Sequence, residues 1–135
     1  MPPVKLLQRS LKLQAALWAL WSLGILVAPA WVAEGLMAQP PLGAYAWLRI
    51  AGVMGLVLAM LMVLVSQRIE DVWWWSWAFA LLAVGVATIA GLTALFGPPA
   101  GAAAWPWWAL AAVNAALGVA LLLGMADAGE EKPFV

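Results

Sequence analysis

Few side chains in the apolar segments of this 135-residue chain could do chemistry, and some of them occur in symmetric pairs. Arg49 and Glu34 lie on either side of the turn at Pro41 and Leu42, and Arg49 is the only charge in segment 42–67. A charge inside a bilayer is unfavourable unless it is paired, faces the protein interior or reaches the interface. We therefore predict an Arg49–Glu34 ion pair that closes one end of a helical bundle. The alternative is a site for an anionic headgroup or acidic ligand built on Arg49.

A second pair, Asn114 and Thr88, is placed symmetrically about Gly101 in the two last apolar segments. Amide and hydroxyl groups on facing membrane helices commonly form hydrogen bonds worth about 0.6 kcal/mol on average. We predict an interhelical polar contact between these two side chains. The alternative is a polar substrate path through the bundle.

The chain has no cysteine and no histidine. Thiolate chemistry and cysteine-held metals are thereby excluded, and haem, pigments, zinc and copper lose their most common protein ligand. Glycine-rich nucleotide loops and serine triads do not occur either. We expect a protein that is not an enzyme, with no catalytic, metal or cofactor-binding residue. A bound lipid, quinone or carotenoid stays open.

The composition is that of a membrane protein. Hydrophobic residues make up 67% of the chain and charged residues 9%, and the mean hydropathy is +1.02. Soluble domains are about 45–50% apolar and about 25% charged. The net charge of zero argues against nucleic acid as a partner, because phosphates require a basic surface.

Charges and prolines divide the chain into four apolar segments, each long enough to cross a bilayer as a helix. The first is longer than the hydrophobic stretch of a signal peptide, so we predict that it stays in the protein. Short connections favour an all-α, polytopic, antiparallel up-down four-helix bundle. The predicted division is a basic N-terminus over 1–12, helices over 13–33, 42–67, 72–96 and 105–126 within a transmembrane domain 13–126, and a polar tail over 127–135.

Basic residues predict the orientation. They precede the first helix, occupy the connection between the second and third helices, and follow the fourth: Lys5, Arg9, Lys12, Arg68 and Lys132. Cytoplasmic loops of membrane proteins carry the excess of lysine and arginine. We predict a multi-pass membrane protein with both termini in the cytoplasm.

Tryptophan is concentrated at the ends of the predicted helices, which is the pattern of interfacial anchoring. One group lies at the cytoplasmic end and a second at the outer ends: Trp73, Trp74, Trp75 and Trp77, then Trp31, Trp47, Trp105, Trp107 and Trp108. Only Trp18 and Trp21 lie deeper. We predict membrane anchors, with contact to a ligand such as a carotenoid as the alternative.

The second helix, "LRIAGVMGLVLAM", with Arg49, Gly52 and Gly55, resembles the DoxX-like group of small four-helix bacterial membrane proteins. The resemblance covers the first two helices and implies an architecture more than an activity, together with a place in a bacterial inner membrane. Small multidrug transporters also have four helices and a glutamate in the first, but theirs lies mid-helix whereas Glu34 lies at the helix end.

Three functions fit these patterns. The first is an accessory, structural or assembly subunit that docks laterally on a larger energy-converting or transport complex, because small residues at four-residue spacing suit close helix contacts. The second is a DoxX-like binder of a lipid or quinone-like ligand near Arg49. The third is a small dimeric proton-coupled transporter that uses Glu34. The expected partners are the lipid bilayer and other membrane subunits or further copies of the chain.

Overall fold

A computed structural model describes residues 4–131, and every regular element in that range is helical. The elements are α1 (Val4–Val27), a π-helix (Trp31–Leu36), α2 (Ala46–Gln67), α3 (Ile69–Val72), a 3₁₀ turn (Trp73–Trp75), α4 (Ser76–Phe96) and α5 (Trp105–Glu131). Four helical stretches within it are long and apolar enough to cross a membrane: Val4–Val27, Ala46–Gln67, Ile69–Phe96 and Trp105–Glu130. The all-helical class is confirmed, and the four stretches indicate a multi-pass membrane protein.

The terminal helices extend further than the hydropathy pattern predicts. α1 begins at Val4 rather than Leu13, because no helix breaker separates the basic segment from the apolar one. Its basic side chains Lys5 and Arg9 stay exposed while Leu7 is buried on the other face. α5 continues to Glu131, and residues 132–135, which include Lys132, lie outside the described part of the chain.

The first predicted helix is interrupted near Pro29. Proline has no N–H and its ring clashes with the preceding turn, so α1 ends at Val27 and the chain resumes as the π-helix. A π-helix has a wider turn than an α-helix and is rare. The connection to α2 then includes Ala38 in the left-handed region, at φ 48°. The link between α1 and α2 is therefore a structured segment rather than a tight turn.

The hydrophobic core lies at one end of the molecule, which we call the Ile69 end. Side chains of the start of α1, the end of α2, the α3 region and the end of α5 form one buried cluster there, including Leu7, Met62, Ile69, Trp73 and Met125. At the opposite end, the Ala38 end, the backbone N–H of Ala103 donates to the carbonyl of Ala38 at 3.0 Å. This bond joins the connection after α1 to the connection after α4.

Glycines mark where helices approach most closely. A Cβ on Gly55 of α2 would clash with Ser22 Oγ of α1, and a Cβ on Gly124 of α5 would lie 2.9 Å from the backbone of Leu7. A Cβ on Gly118 of α5 would lie 3.2 Å from Val84 of α4. Helix α1 thus packs on α2 and α4 packs on α5, and the two pairs are held together through α1 and α5 near the Ile69 end.

Candidate ligand-binding cleft

A cleft of about 400 Å³ opens between α1, α4 and α5 in the half of the molecule nearer the Ala38 end. The close contact between Gly124 and Leu7 holds α5 against α1 at the Ile69 end. From this contact towards the Ala38 end, α1 remains packed on α2 and α5 remains packed on α4, so the two helix pairs diverge. We call the space between them the Asn114 cleft, after the polar side chain that lines it. Its volume is within the range of about 300–1,000 Å³ that is usual for small-molecule sites.

The walls of the Asn114 cleft are almost entirely apolar. Helix α1 contributes Leu17, Trp18 and Trp21, and α4 contributes Val86. The α5 wall consists of Ala109, Leu110, Val113, Asn114 and Leu117. Leu17 and Val113 keep 39% and 47% of their surface exposed, so the cleft is open at the side of the molecule, where a membrane-spanning protein meets lipid.

The Ala38 end of the cleft is also apolar. Leu36, at the end of the π-helix, Met37, and Trp105 and Pro106 of α5 line this part. The hydrogen bond between Ala103 and Ala38 joins the two connections at this end of the molecule.

Asn114 is the one amide among the lining residues, none of which is charged. Its side chain is 6% exposed, and its Nδ2 donates to the carbonyl of Leu110, one turn earlier, at 2.9 Å. A carboxamide has two N–H donors and a carbonyl oxygen that accepts two bonds. Asn114 therefore retains hydrogen-bonding capacity at the wall of an otherwise apolar space.

The predicted contact between Asn114 and Thr88 is not formed. Thr88 lies on the exposed face of α4, and its Oγ1 donates to the carbonyl of Val84 in the same helix at 2.8 Å. The two residues are at similar positions along their helices, but they point in different directions around the helix axes. Each side chain instead donates to the carbonyl four residues before it, as serine, threonine and asparagine commonly do.

The predicted Arg49–Glu34 ion pair is not formed either. Glu34, on the exposed face of the π-helix, accepts a hydrogen bond from the Tyr45 hydroxyl, and Arg49 is exposed in the first turn of α2. The ion pair found within residues 4–131 is Arg68–Asp71, at 4.0 Å and exposed. Symmetric positions about Pro41 and Leu42 do not bring the two side chains together, because the chain between α1 and α2 is not a tight turn flanked by two straight helices.

The Tyr45 hydroxyl links two parts of the connection at the Ala38 end. It donates to Glu34 and accepts from the backbone N–H of Leu42 at 3.4 Å. The hydrogen bond to the Glu34 carboxylate raises the pKa of Tyr45 above its ordinary value of 10.0. Because the pKa of Tyr45 is higher in the folded than in the unfolded protein, its hydrogen bond to Glu34 contributes to folding stability. This contribution is complete below pH 10.0 and is lost as the pH rises through the raised pKa.

Replacing Glu34 by alanine is expected to lower the pKa of Tyr45, because the largest cause of its elevation is removed. Tyr45 is the only tyrosine of the chain, so tyrosinate absorbance in an alkaline titration reports on it alone. Asp71→Ala, at the Ile69 end, is the control and should leave the titration unchanged. An identical midpoint in wild type and Glu34→Ala would show that the bond does not form.

The tryptophans predicted as anchors divide into two groups. Seven are exposed, as anchoring requires: Trp31, Trp47, Trp74, Trp75, Trp77, Trp105 and Trp108. Trp73 is buried in the core, and Trp107 is half-buried, with its Nε1 enclosed and without a hydrogen-bond partner within residues 4–131. The tryptophan cluster after Asp71 is therefore partly core.

Trp18 and Trp21 are functional candidates that the sequence analysis set apart without assigning to a site. They lie three residues apart and thus on one helix face, and both line the cleft. Their position away from the ends of α1 was the sequence signal that set them apart from the anchors.

Gln14, one turn from Trp18, was not singled out in the sequence analysis. It is fully buried, with Nε2 donating to the carbonyl of Phe79 at 3.1 Å and Oε1 unpartnered within residues 4–131.

Comparison of the chain with protein-family models, with curated proteins and with solved structures finds no match. The fold and the cleft therefore carry the functional argument by themselves. They indicate an all-helical, multi-pass membrane protein with an apolar side cleft.

Proposed function

We propose that this chain is a non-catalytic integral membrane protein that binds an apolar, membrane-dissolved molecule in the Asn114 cleft. The cleft itself is the observation that carries the proposal: it is apolar, about 400 Å³ in volume and lined by three helices. Two indoles from α1 supply large rigid surfaces, and aromatic side chains are common in the lining of ligand sites. This proposal places the ligand at Asn114 rather than at Arg49.

The sequence-based alternative at Arg49 has less support. Arg49 is exposed in the first turn of α2 and does not line the cleft. A long arginine side chain near a helix end can reach the membrane interface with its charged group. Its position is accounted for by interfacial placement, without a ligand.

Photolabelling of the wild-type protein in lipid nanodiscs tests the proposal. An alkane that carries a diazirine is irradiated, and the adducts are mapped by mass spectrometry. We expect enrichment on the cleft residues Leu17, Leu110 and Val113 over the exposed residues Val57 and Leu92, which lie outside the cleft. Equal labelling of both groups would contradict the proposal, because it is the pattern of unspecific lipid contact.

A role as an accessory subunit of a larger membrane complex is the second candidate function. It is supported by the exposed face of α5 at Ala112, Ala115 and Ala116, where small side chains would let a partner helix approach closely. Purification from native membranes in mild detergent tests it. Migration with a large complex, lost in Ala116→Leu and kept in Val57→Leu, is the expected result, and migration as the isolated chain would contradict it.

We also propose the orientation and location predicted above. Of the five exposed basic residues in the described range, Lys5, Arg9, Lys12 and Arg68 belong to the Ile69 end and Arg49 belongs to the Ala38 end. This excess supports a cytoplasmic location for the Ile69 end. We further propose that the helices form an antiparallel bundle, that the membrane is a bacterial inner membrane and that the protein is related to the DoxX-like group. Proton-coupled transport has less support, since Glu34 is exposed and bonded to Tyr45.

A further inference from the structure

We infer that the molecule bound in the Asn114 cleft is a neutral amphiphile with one hydroxyl or carbonyl group, which it presents to the amide of Asn114. This inference rests on the proposed function and specifies the class of ligand. Three properties of the cleft lead to it: the lack of charge in its lining, the remaining hydrogen-bonding capacity of Asn114, and its size.

Charge selects a neutral ligand. None of the lining residues is acidic or basic, and Leu36, Met37, Trp105 and Pro106 make its Ala38 end apolar as well. A carboxylate or phosphate drawn into this space would lose its hydration and find no counterion, which is strongly unfavourable. Fatty acids in their ionised form and phospholipid headgroups are therefore excluded from its interior.

Asn114 selects an oxygen function. Within residues 4–131 its one hydrogen bond is from Nδ2 to Leu110, so the second N–H and the carbonyl oxygen remain for a ligand. A hydroxyl can bond to either, and a carbonyl can accept the N–H. Asn114 lies nine positions after the first residue of α5, about 14 Å along the helix at 1.5 Å per residue. At that depth water is scarce, so the ligand is the available partner.

Size favours one chain or a small ring system over a whole helix as the occupant. A methylene group takes up about as much space as a water molecule in the liquid, roughly 30 Å³. A volume of about 400 Å³ therefore holds on the order of a dozen carbon atoms. That is one chain or a small ring system, and much less than a transmembrane helix of about 20 residues.

Competition against the diazirine alkane tests the inference. The competitors are dodecane, 1-dodecanol, 2-dodecanone and, at pH 9, dodecanoate, each compared at equal concentration in the nanodisc. In the wild-type protein we expect the alcohol or the ketone to compete at about 3- to 20-fold lower concentration than the alkane, the range that corresponds to one hydrogen bond in a membrane. Dodecanoate should compete no better than dodecane.

Two variants locate the preference. Asn114→Leu should remove the advantage of the alcohol and the ketone over dodecane, whereas Thr88→Val, a polar-to-apolar change on the exposed face of α4, should leave it intact. If only the alcohol is preferred, the ligand donates to Oδ1, and if the ketone competes equally well, it accepts from Nδ2. Both results support the inference.

The contradicting results are separate from those for the proposed function. Equal competition by dodecane and the oxygen-bearing probes in the wild type overturns the inference while cleft binding stands, and that comparison needs no variant to fold. Strong competition by dodecanoate also overturns it. Failure of every competitor, dodecane included, would count against both the inference and the proposed function.

Discussion

Replacement of Trp73 by alanine is expected to lower the free energy of unfolding by about 3–5 kcal/mol, the typical cost of removing a large buried aromatic side chain. Trp73 is 6% exposed and belongs to the core cluster at the Ile69 end. Its ring packs against α5, where its Cζ3 and Cη2 atoms lie within 4.0 Å of a Cβ built on Gly129. The truncation would leave a cavity where α1, α2, α4 and α5 converge. Reversible unfolding in mixed micelles, with circular dichroism as the readout, measures the change.

Trp75→Ala is the matched control for this prediction. Trp75 belongs to the same 3₁₀ turn but is 60% exposed, so its truncation should change the free energy of unfolding by less than about 1 kcal/mol, as surface substitutions usually do. If Trp73→Ala and Trp75→Ala were equally mild, Trp73 would be a membrane anchor like its neighbours, and the described core would be incorrect.

The second large effect is expected at Gly124, where α5 crosses α1. A methyl group there would lie 2.9 Å from the backbone N and Cα of Leu7, and backbone atoms cannot move aside as a flexible side chain can. Gly124→Ala should therefore destabilise the protein by about 1–3 kcal/mol, the usual effect of overpacking. The same unfolding measurement applies.

Gly85→Ala should have the opposite sign. Gly85 lies inside α4, and a Cβ there meets nothing within 4 Å. Replacement of a helix-interior glycine by alanine without steric conflict stabilises by about 0.5–1 kcal/mol. Two identical substitutions in transmembrane helices are thus expected to differ in sign. Stabilisation by both would show that α1 and α5 are further apart than the described contact.

The number and type of the helices could be predicted from the sequence because they depend on local properties. Apolar stretches of about 20 residues between charges and prolines are long enough to cross a bilayer, and residues 4–131 contain four such helices. The helix ends were less predictable. α1 includes Lys5 and Arg9 because a helix continues through polar residues where no breaker intervenes, and none lies between Val4 and the apolar segment.

The candidate site could not be predicted in the same way, because it depends on the directions in which side chains point. Equal distance from a turn gave Asn114 and Thr88 similar depth, but it carried no information on rotation about the helix axis. The predicted contact between Arg49 and Glu34 assumed a tight turn between two helices. The π-helix and the segment after it make the connection longer and less regular than that.

The cleft was not predictable because it arises from packing at a distance. The approach of Gly124 to Leu7 at one end, and of Gly55 to Ser22 within the α1–α2 pair, determines where α1 and α5 separate. Gly55 and Gly124 are visible in the sequence, but their contact partners Ser22 and Leu7 lie far from them along the chain. The one partial indication of the cleft in the sequence was the position of Trp18 and Trp21. They lie too far from the helix ends to act as interfacial anchors, and they line the cleft instead.

Filling the Asn114 cleft is the most direct test of the central claim that it binds a membrane-dissolved molecule. Ala109 lines the cleft, whereas Ala112, exposed on the same helix, does not. The yield of diazirine-alkane adducts on Leu17 and Val113 should fall to the level of the lipid-facing residues in Ala109→Trp and stay at the wild-type level in Ala112→Trp. An unchanged adduct yield in Ala109→Trp, with the variant folded by circular dichroism, would contradict the account.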